Sequence, residues 1–182
     1  MQERWVFAYG SLIWDPGFCP AERIRARAAG WRRAFCLWSI HWRGTPECPG
    51  LVLGLEEEPG AVCEGLALRL PEGEAEAVLA TLRARELVSH AYEERLLPLR
   101  LENGREIEAL AYVIRPGHPQ HARLDPERQA AIIARAVGQR GPNCAYLEAA
   151  AEALAGMGIA DPGIEALCRR VRALVSQDGE SS

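Results

Sequence analysis

The residues best suited to chemistry in this sequence sit at two places, Tyr9-Gly10-Ser11 and Glu86. Trp5-Val6-Phe7-Ala8 is a short run rich in aromatic and β-branched residues, the pattern of a buried strand. It stops at Tyr9-Gly10-Ser11. Glycine tolerates φ > 0 and lets another backbone or a ligand come close. The strand is therefore expected to end in a tight loop whose N–H groups are not committed to a ladder. Successive free N–H groups form a concavity for an anion or an oxyanion, here flanked by the hydroxyls of Tyr9 and Ser11. The same residues also suit a strand that simply turns, with Gly10 as its punctuation.

Glu86 stands near the end of a segment with helical spacing, where the apolar pattern asks for no carboxylate. The negative end of a helix dipole disfavours a further negative charge, and an apolar pocket does the same. A carboxyl group raised by both suits proton transfer near neutral pH. The alternative is a surface residue paired with Arg83 or Arg85. Other chemistries find less support. His118 and His121 fall in a proline-broken loop with no third ligand nearby, the pattern of a plain surface loop rather than a metal site. No Gly-x-Ser-x-Gly elbow frames Ser11. Cys19, Cys36, Cys48, Cys63, Cys144 and Cys168 contain no Cys-x-x-Cys pair, so neither a zinc nor a redox motif is expected.

Several elements must position these residues. Arg23 to Ala28 alternates polar with apolar and predicts a half-buried strand, broken at Gly30 and resumed from Trp31 to Ser39. His41 to Gly50 is a loop rich in glycine and proline. Leu51 to Leu55 and Cys63 to Leu70 predict two strands joined by an acidic turn at Pro59-Gly60. The period then changes, and Glu74 to Leu87 predicts a helix with Val78, Leu79, Leu82 and Glu86 at helical spacing. Tyr92 to Leu101 and Arg105 to Arg115 form a hairpin around Asn103-Gly104. Asp125-Pro126 opens a helix running to about Val137. Two further helices are expected over about Asn143–Ala155 and Asp161–Val175. Residues 176–182 read as a polar, disordered tail. Strands and helices that come in runs predict an α+β fold in a single domain over residues 1–175, with no repeat and no linker.

Composition sets wider bounds. The 182 residues suffice for one sizeable core, and 48% hydrophobic with 25% charged residues is ordinary for a globular chain. A net charge of −4 argues against a nucleic-acid partner. Arg23, Arg25, Arg27, Arg32 and Arg33 cluster in sequence, and the alternation of the first three suggests the solvated side of a strand. No apolar stretch approaches the ~20 residues of a membrane span. The polar opening Met1–Arg4 argues against a secretory leader. Free, mostly buried thiols in a cytoplasmic protein are the expectation.

Taken together, these stretches resemble the ChaC proteins, the glutathione-specific branch of the γ-glutamylcyclotransferases. The resemblance rests first on Tyr9-Gly10-Ser11-Leu12-Ile13-Trp14 and on Arg85-Glu86 followed by Tyr92. Arg43-Gly44 with Pro49-Gly50, Ala109-Leu110-Ala111-Tyr112-Val113, and Gly141-Pro142-Asn143 before Tyr146-Leu147 support it. It runs from about Val6 to about Val175. It implies a small mixed barrel-like sheet with flanking helices. It implies cleavage of glutathione to 5-oxoproline and Cys-Gly without a cofactor or a metal, because nucleophile and electrophile lie in one substrate. Glu86 matches the catalytic carboxylate. Tyr9, Gly10, Ser11 and Leu12 would cradle the substrate. The hydroxyls of Tyr92 and Tyr146 could hold its α-carboxylate or tether Glu86, or their rings could be core with a satisfied hydroxyl. Arg43 could pair with the glycine carboxylate or be a solvated loop arginine. Other γ-glutamyl amino acids, γ-glutamylamines, or a non-catalytic γ-glutamyl-binding role are the alternatives. The chain departs from the family where small residues commonly precede the tyrosine: here Leu87-Val88-Ser89-His90-Ala91 brings His90 close to it.

Overall fold

The computed structural model describes residues 3–180. Five strands close into a barrel in the order β1-β3-β2-β4-β5: β1 Trp5–Ala8, β2 Glu22–Ser39, β3 Gly50–Arg69, β4 Tyr92–Leu101 and β5 Glu106–Ile114. β1 pairs antiparallel with β3 and parallel with β5, through Val6 and Leu110. The parallel contact makes this a mixed, closed sheet among separate helices, the α+β class expected. Bulky and small apolar side chains fill its interior, where Trp5, Phe7, Leu55, Leu97, Leu99 and Leu101 pack against small residues such as Ala67, Ala109 and Ala111. Large residues facing small ones fill a narrow barrel without voids.

Two compact units divide the chain. The first takes it to Ala34 and again over Gly54–His118; the second holds Phe35–Leu53 and the chain from Pro119 onward. In the first, helix α1 (Ala75–Glu86) buries Val78, Leu79 and Leu82. In the second, α2 (Pro126–Arg135) packs on α3 (Asn143–Gly156) and α4 (Pro162–Glu180), and α3 on α4. Ile133, Leu147, Ile164, Leu167 and Val171 are among its buried residues. Asp125 caps α2 as expected, its carboxylate accepting from Arg128 N at 2.8 Å. Two short strands, β6 (Val137–Gly138) and β7 (Gly141–Pro142), pair between α2 and α3.

Three local expectations are corrected. Gly30 does not break the second strand; β2 runs through it with φ +83°. The buried positions before it are Ala26 and Ala28, and those after it Trp31, Arg33 and Phe35. One extra residue at such a bend exchanges the two faces of a strand without ending it. Arg33 therefore belongs to the buried side, not to a solvated basic face. Pro59-Gly60 likewise lies within continuous β3, Gly60 at φ +86° in an exposed stretch where a missing proline N–H is tolerated. Helix α4 continues past Val175 to Glu180. Nothing breaks its pattern at Ser176, because polar residues on an open face are compatible with helix. Residues 181–182 of the expected tail lie outside the described residues.

Candidate active site

The first unit brings together the Tyr9 turn and the Arg85-Glu86 pair. β1 ends at Ala8, and Ser11–Ile13 form one 3-10 turn closed by Ile13 N to Gly10 O at 2.9 Å. Gly10 has φ −132°, so the expected left-handed conformation is not used; the 3-10 turn itself reverses the chain. The first N–H groups of such a turn, those of Ser11 and Leu12, find no carbonyl within it. Leu12 and Ile13 are buried and pin it in place. Tyr9 turns its ring into the barrel core, and its hydroxyl donates to Tyr112 O at 2.6 Å.

Glu86 is the last residue of α1. Four residues after buried Leu82, it falls on the same helix face, and its side chain is 16% exposed. The alternative partner weighed from sequence is present: Arg85 Nε lies 3.2 Å from Glu86 Oε1. That arginine also reaches the turn. Its Nη2 donates to Ser11 Oγ at 3.1 Å and its Nη1 to Asp15 O at 2.8 Å. Arg85 thus ties the carboxylate to the turn. A hydroxyl that accepts from a guanidinium keeps its own proton for another acceptor.

Two further residues join this network. Glu94, on β4, faces Tyr112 across the β4–β5 ladder. The Tyr112 hydroxyl donates to Glu94 Oε1 at 3.2 Å, and Arg83 Nε donates to the same oxygen at 2.8 Å. Burial pushes the Tyr112 phenol well above its usual range, and the charges of Glu94 and Glu86 add to the shift. The same carboxylate, Glu94, raises the pKa of Arg83. Tyr92 opens β4 opposite Ile114 and is half-buried. His90 is exposed, so it does not line a buried wall; it stands at φ 56°, the one described non-glycine residue with positive φ.

Arg33 and Glu94 escaped the sequence reading. Arg33 Nη1 donates to Tyr9 O at 2.8 Å and to Glu64 O at 3.0 Å. Of the other arginines of that cluster, Arg25 and Arg27 pair with Glu64, and Arg32 pairs with Glu56 and Glu58. The Glu94–Tyr112 pairing was readable from the hairpin register. Arg33 was not readable, because alternation counted across Gly30 puts it on the wrong face of β2.

Arg43 and Tyr146 belong to the second unit and meet there. The Arg43 guanidinium lies 5.5 Å from the Tyr146 ring centre and donates to Arg140 O at 2.7 Å and Pro142 O at 3.3 Å. Burial, with Arg140 nearby, lowers its pKa from the usual arginine value. Tyr146 stacks edge-on against Phe35 and accepts from Leu53 N at 3.4 Å. The supporting glycines lie in the same cluster. A Cβ on Gly44 would sit 2.6 Å from Ser39 O, and one on Gly138 2.6 Å from Arg43 N.

The chain matches the family model described as ChaC-like protein over residues 4–174. It is 36% identical to the glutathione-specific gamma-glutamylcyclotransferase of Escherichia coli, over 96% of this chain and 75% of that protein. It is 32% identical to gamma-glutamylcyclotransferase 2-3 of Arabidopsis thaliana, over 97% of this chain and 92% of that one. In fold it is similar to the crystal structure of a glutathione-specific γ-glutamyl cyclotransferase from yeast. The TM-score there is 0.85 at 24% identity, covering 95% of this chain and 97% of that chain. No helix among the described residues is long and apolar enough to cross a membrane.

Proposed function

Since the chain belongs to the ChaC-like family of γ-glutamylcyclotransferases, we propose that it cleaves glutathione to 5-oxoproline and Cys-Gly, with Glu86 moving the protons. The α-amine of the γ-glutamyl group attacks its own γ-carbonyl carbon. The C–N bond of the five-membered lactam forms, the bond to the cysteine nitrogen breaks, and that nitrogen leaves as the amine of Cys-Gly. No water is consumed, so the enzyme is a lyase.

Three tasks fall to the protein. The γ-glutamyl chain must be bent into the ring-closing conformer. Amine and carbonyl already share one molecule, so what the protein adds is the restriction of a few rotors, roughly several kcal/mol at most. In becoming the lactam N–H the α-ammonium must lose two protons, one before the attack and one after it. The departing nitrogen must gain one to leave as an amine, and the other passes to solvent. Glu86 can accept and donate in turn, as a carboxylate and then as the acid. The negative charge that grows on the γ-carbonyl oxygen needs preplaced donors, and the N–H groups at the Tyr9–Leu12 turn, with the Ser11 hydroxyl beside them, take that role. Tyr92, in the same unit as the turn and Glu86, is assigned to binding the substrate.

One observation supports this reading above the others: the Arg85 guanidinium joins Ser11 on the turn to the Glu86 carboxylate. Base and oxyanion donors are thereby held at a fixed spacing, as a one-molecule cyclisation requires. The test is product analysis. The purified protein is incubated with glutathione, glutathione disulfide and several γ-glutamyl amino acids. 5-Oxoproline and Cys-Gly are expected in equal amounts from glutathione. Glu86→Gln is expected to fold and to release neither. A folded Glu86→Gln protein with parental rate would remove Glu86 from the mechanism. Release from γ-glutamyl amino acids but not from glutathione would correct the substrate.

A further inference from the structure

Arg33 is the one charged side chain among the buried described residues, at 9% exposure. Burying a guanidinium is expensive unless its hydrogen bonds are met. Here Nη1 donates to two backbone carbonyls, Tyr9 O at the end of β1 and Glu64 O on β3. The Tyr9 carbonyl is one half of the peptide unit that enters the active-site turn. Its other half is Gly10 N–H.

In a trans peptide the C=O and N–H point to opposite sides of a rigid plane. The described peptides are trans. Whatever holds the Tyr9 oxygen therefore decides where the Gly10 N–H points. A charged donor on the carbonyl also polarises the unit and makes its N–H a stronger donor. The surroundings leave little freedom for another arrangement. The Tyr9 hydroxyl is held by Tyr112 O, and a Cβ on Gly65 would lie 3.0 Å from the Phe7 ring and closer still to Ala8 O.

We propose that Arg33 is a positioning residue for the cyclisation. Through the Tyr9 carbonyl it aims and strengthens the Gly10 N–H toward the oxygen that becomes negative as the ring closes. The proposal rests on the reading above, in which this turn receives the oxyanion. Arg33 touches no reacting atom. Its effect belongs to the transition state, because the neutral carbonyl of the bound substrate draws much less on the donor.

The test compares Arg33→Met and Arg33→Lys with the parent. Each is checked for folding by circular dichroism and a thermal transition, and assayed with glutathione for 5-oxoproline release. Losing a direct oxyanion donor lowers kcat by about 10²–10³. Arg33 acts through one such donor, so kcat is expected to fall about 100-fold in Arg33→Met and only about 10-fold in Arg33→Lys, which keeps a charged donor. KM should move less than about threefold in both, since ground-state binding is not at stake. A purely structural arginine would lower the thermal transition and leave kcat of the folded protein untouched. Parental kcat in a folded variant, or a loss confined to KM, overturns the proposal. If Arg33→Met does not fold, Arg33→Lys decides on the same terms. Glu86→Gln is run alongside. Should it keep the parental rate, the underlying mechanism fails and Arg33 falls with it. Should it be inactive while both Arg33 variants run at parental kcat, only the role of Arg33 is lost.

Discussion

Asn143 and Leu51 meet through two hydrogen bonds of 2.7 Å, Leu51 N to Asn143 Oδ1 and Asn143 Nδ2 to Leu51 O. The side-chain amide thus acts on the end of β3 as a neighbouring strand residue would, and it does so with no exposure to solvent. Asn143 N in turn donates to Ala136 O at 2.9 Å. Asn143→Ala would leave a buried N–H and a buried C=O unmet, each costing about 1–3 kcal/mol. Urea denaturation should show a loss of about 2–4 kcal/mol with an unchanged m-value. A loss under ~0.5 kcal/mol would mean that water or relaxation replaces both bonds.

Gly50 is the counterpart of that amide. A Cβ there would stand 2.7 Å from Asn143 Oδ1 and 2.8 Å from the Arg43 carbonyl carbon. Gly50→Ala is therefore expected to destabilise by about 1–3 kcal/mol through overpacking. Because a Gly50 Cβ would press on Asn143 Oδ1 itself, Gly50→Ala with Asn143→Ala should lose less than the sum of the single losses, although the clash with the Arg43 carbonyl oxygen remains. The same denaturation series reads this as a coupling of about 0.5 kcal/mol or more.

How much of this was legible depended on whether the information was local. The hairpin was readable because Asn103-Gly104 specifies its own turn, and Gly104 takes φ +86°. α2 was readable because its Asp125 cap acts within a few residues, and α1 and α3, which have no side-chain cap, because composition and helical spacing are local too. Helical spacing puts Glu86 on the face of Leu82, but its standing as the candidate carboxylate came from the resemblance and not from the spacing. Arg33 was not legible, because one glycine at φ +83° reverses the inward side of β2 and turns an apparent surface arginine into a buried one. The ties from Arg85 to Ser11 and Asp15 span about seventy residues of chain. No periodicity carries such a contact. The motif-by-motif resemblance supplied the pairing of turn and helix end that composition and spacing could not.

The Arg85 bridge makes a second coupling measurable. Ser11→Ala removes the hydroxyl that accepts from Arg85 Nη2, and Arg85→Met removes the guanidinium from both Ser11 and Glu86. Each alone is expected to lower kcat about 10- to 100-fold, the range of a positioned polar group in proton transfer or oxyanion binding. Together they should fall short of the product of the two losses by a factor of about 5 or more, because one interaction is counted twice. Independent, fully multiplicative losses would show that the bridge plays no part in turnover.

Tyr112 gives the protein an alkaline limit. Burial first, then the nearby charges of Glu94 and Glu86, raise its pKa in the folded state above the ordinary value near 10. The folded chain thus holds the phenolic proton more tightly than the unfolded chain. Stability from this group is complete below about pH 10, the unfolded pKa, and is lost as pH rises from there toward the folded pKa. Thermal transitions recorded from pH 8 to 11.5 should fall steeply above about pH 10 in the parent. Tyr112→Phe should start lower, by about 1 kcal/mol for the lost bond to Glu94, and should fall less steeply. Parallel curves for the two proteins would assign the alkaline loss to other groups.

His90 sits between the end of α1 and β4 at φ 56°, a conformation that costs a side chain and not glycine. Its N–H donates to Leu87 O at 3.2 Å, closing the turn that leads into Ala91 and Tyr92. The imidazole is exposed, so its removal sacrifices no buried contact. His90→Gly relieves the left-handed strain but adds freedom to the unfolded chain, and the two effects oppose each other. The strain is the larger, about 1–2 kcal/mol against about 0.5–1 kcal/mol. His90→Gly should therefore raise stability by about 0.5–1 kcal/mol, and His90→Val, β-branched at the same φ, should lower it by about 1 kcal/mol or more. Chemical denaturation of the three proteins orders them Gly, His, Val. A glycine variant less stable than the parent would show that the imidazole makes a contact that outweighs the strain. The same three proteins, assayed with glutathione, should share one KM if His90 stays clear of the substrate.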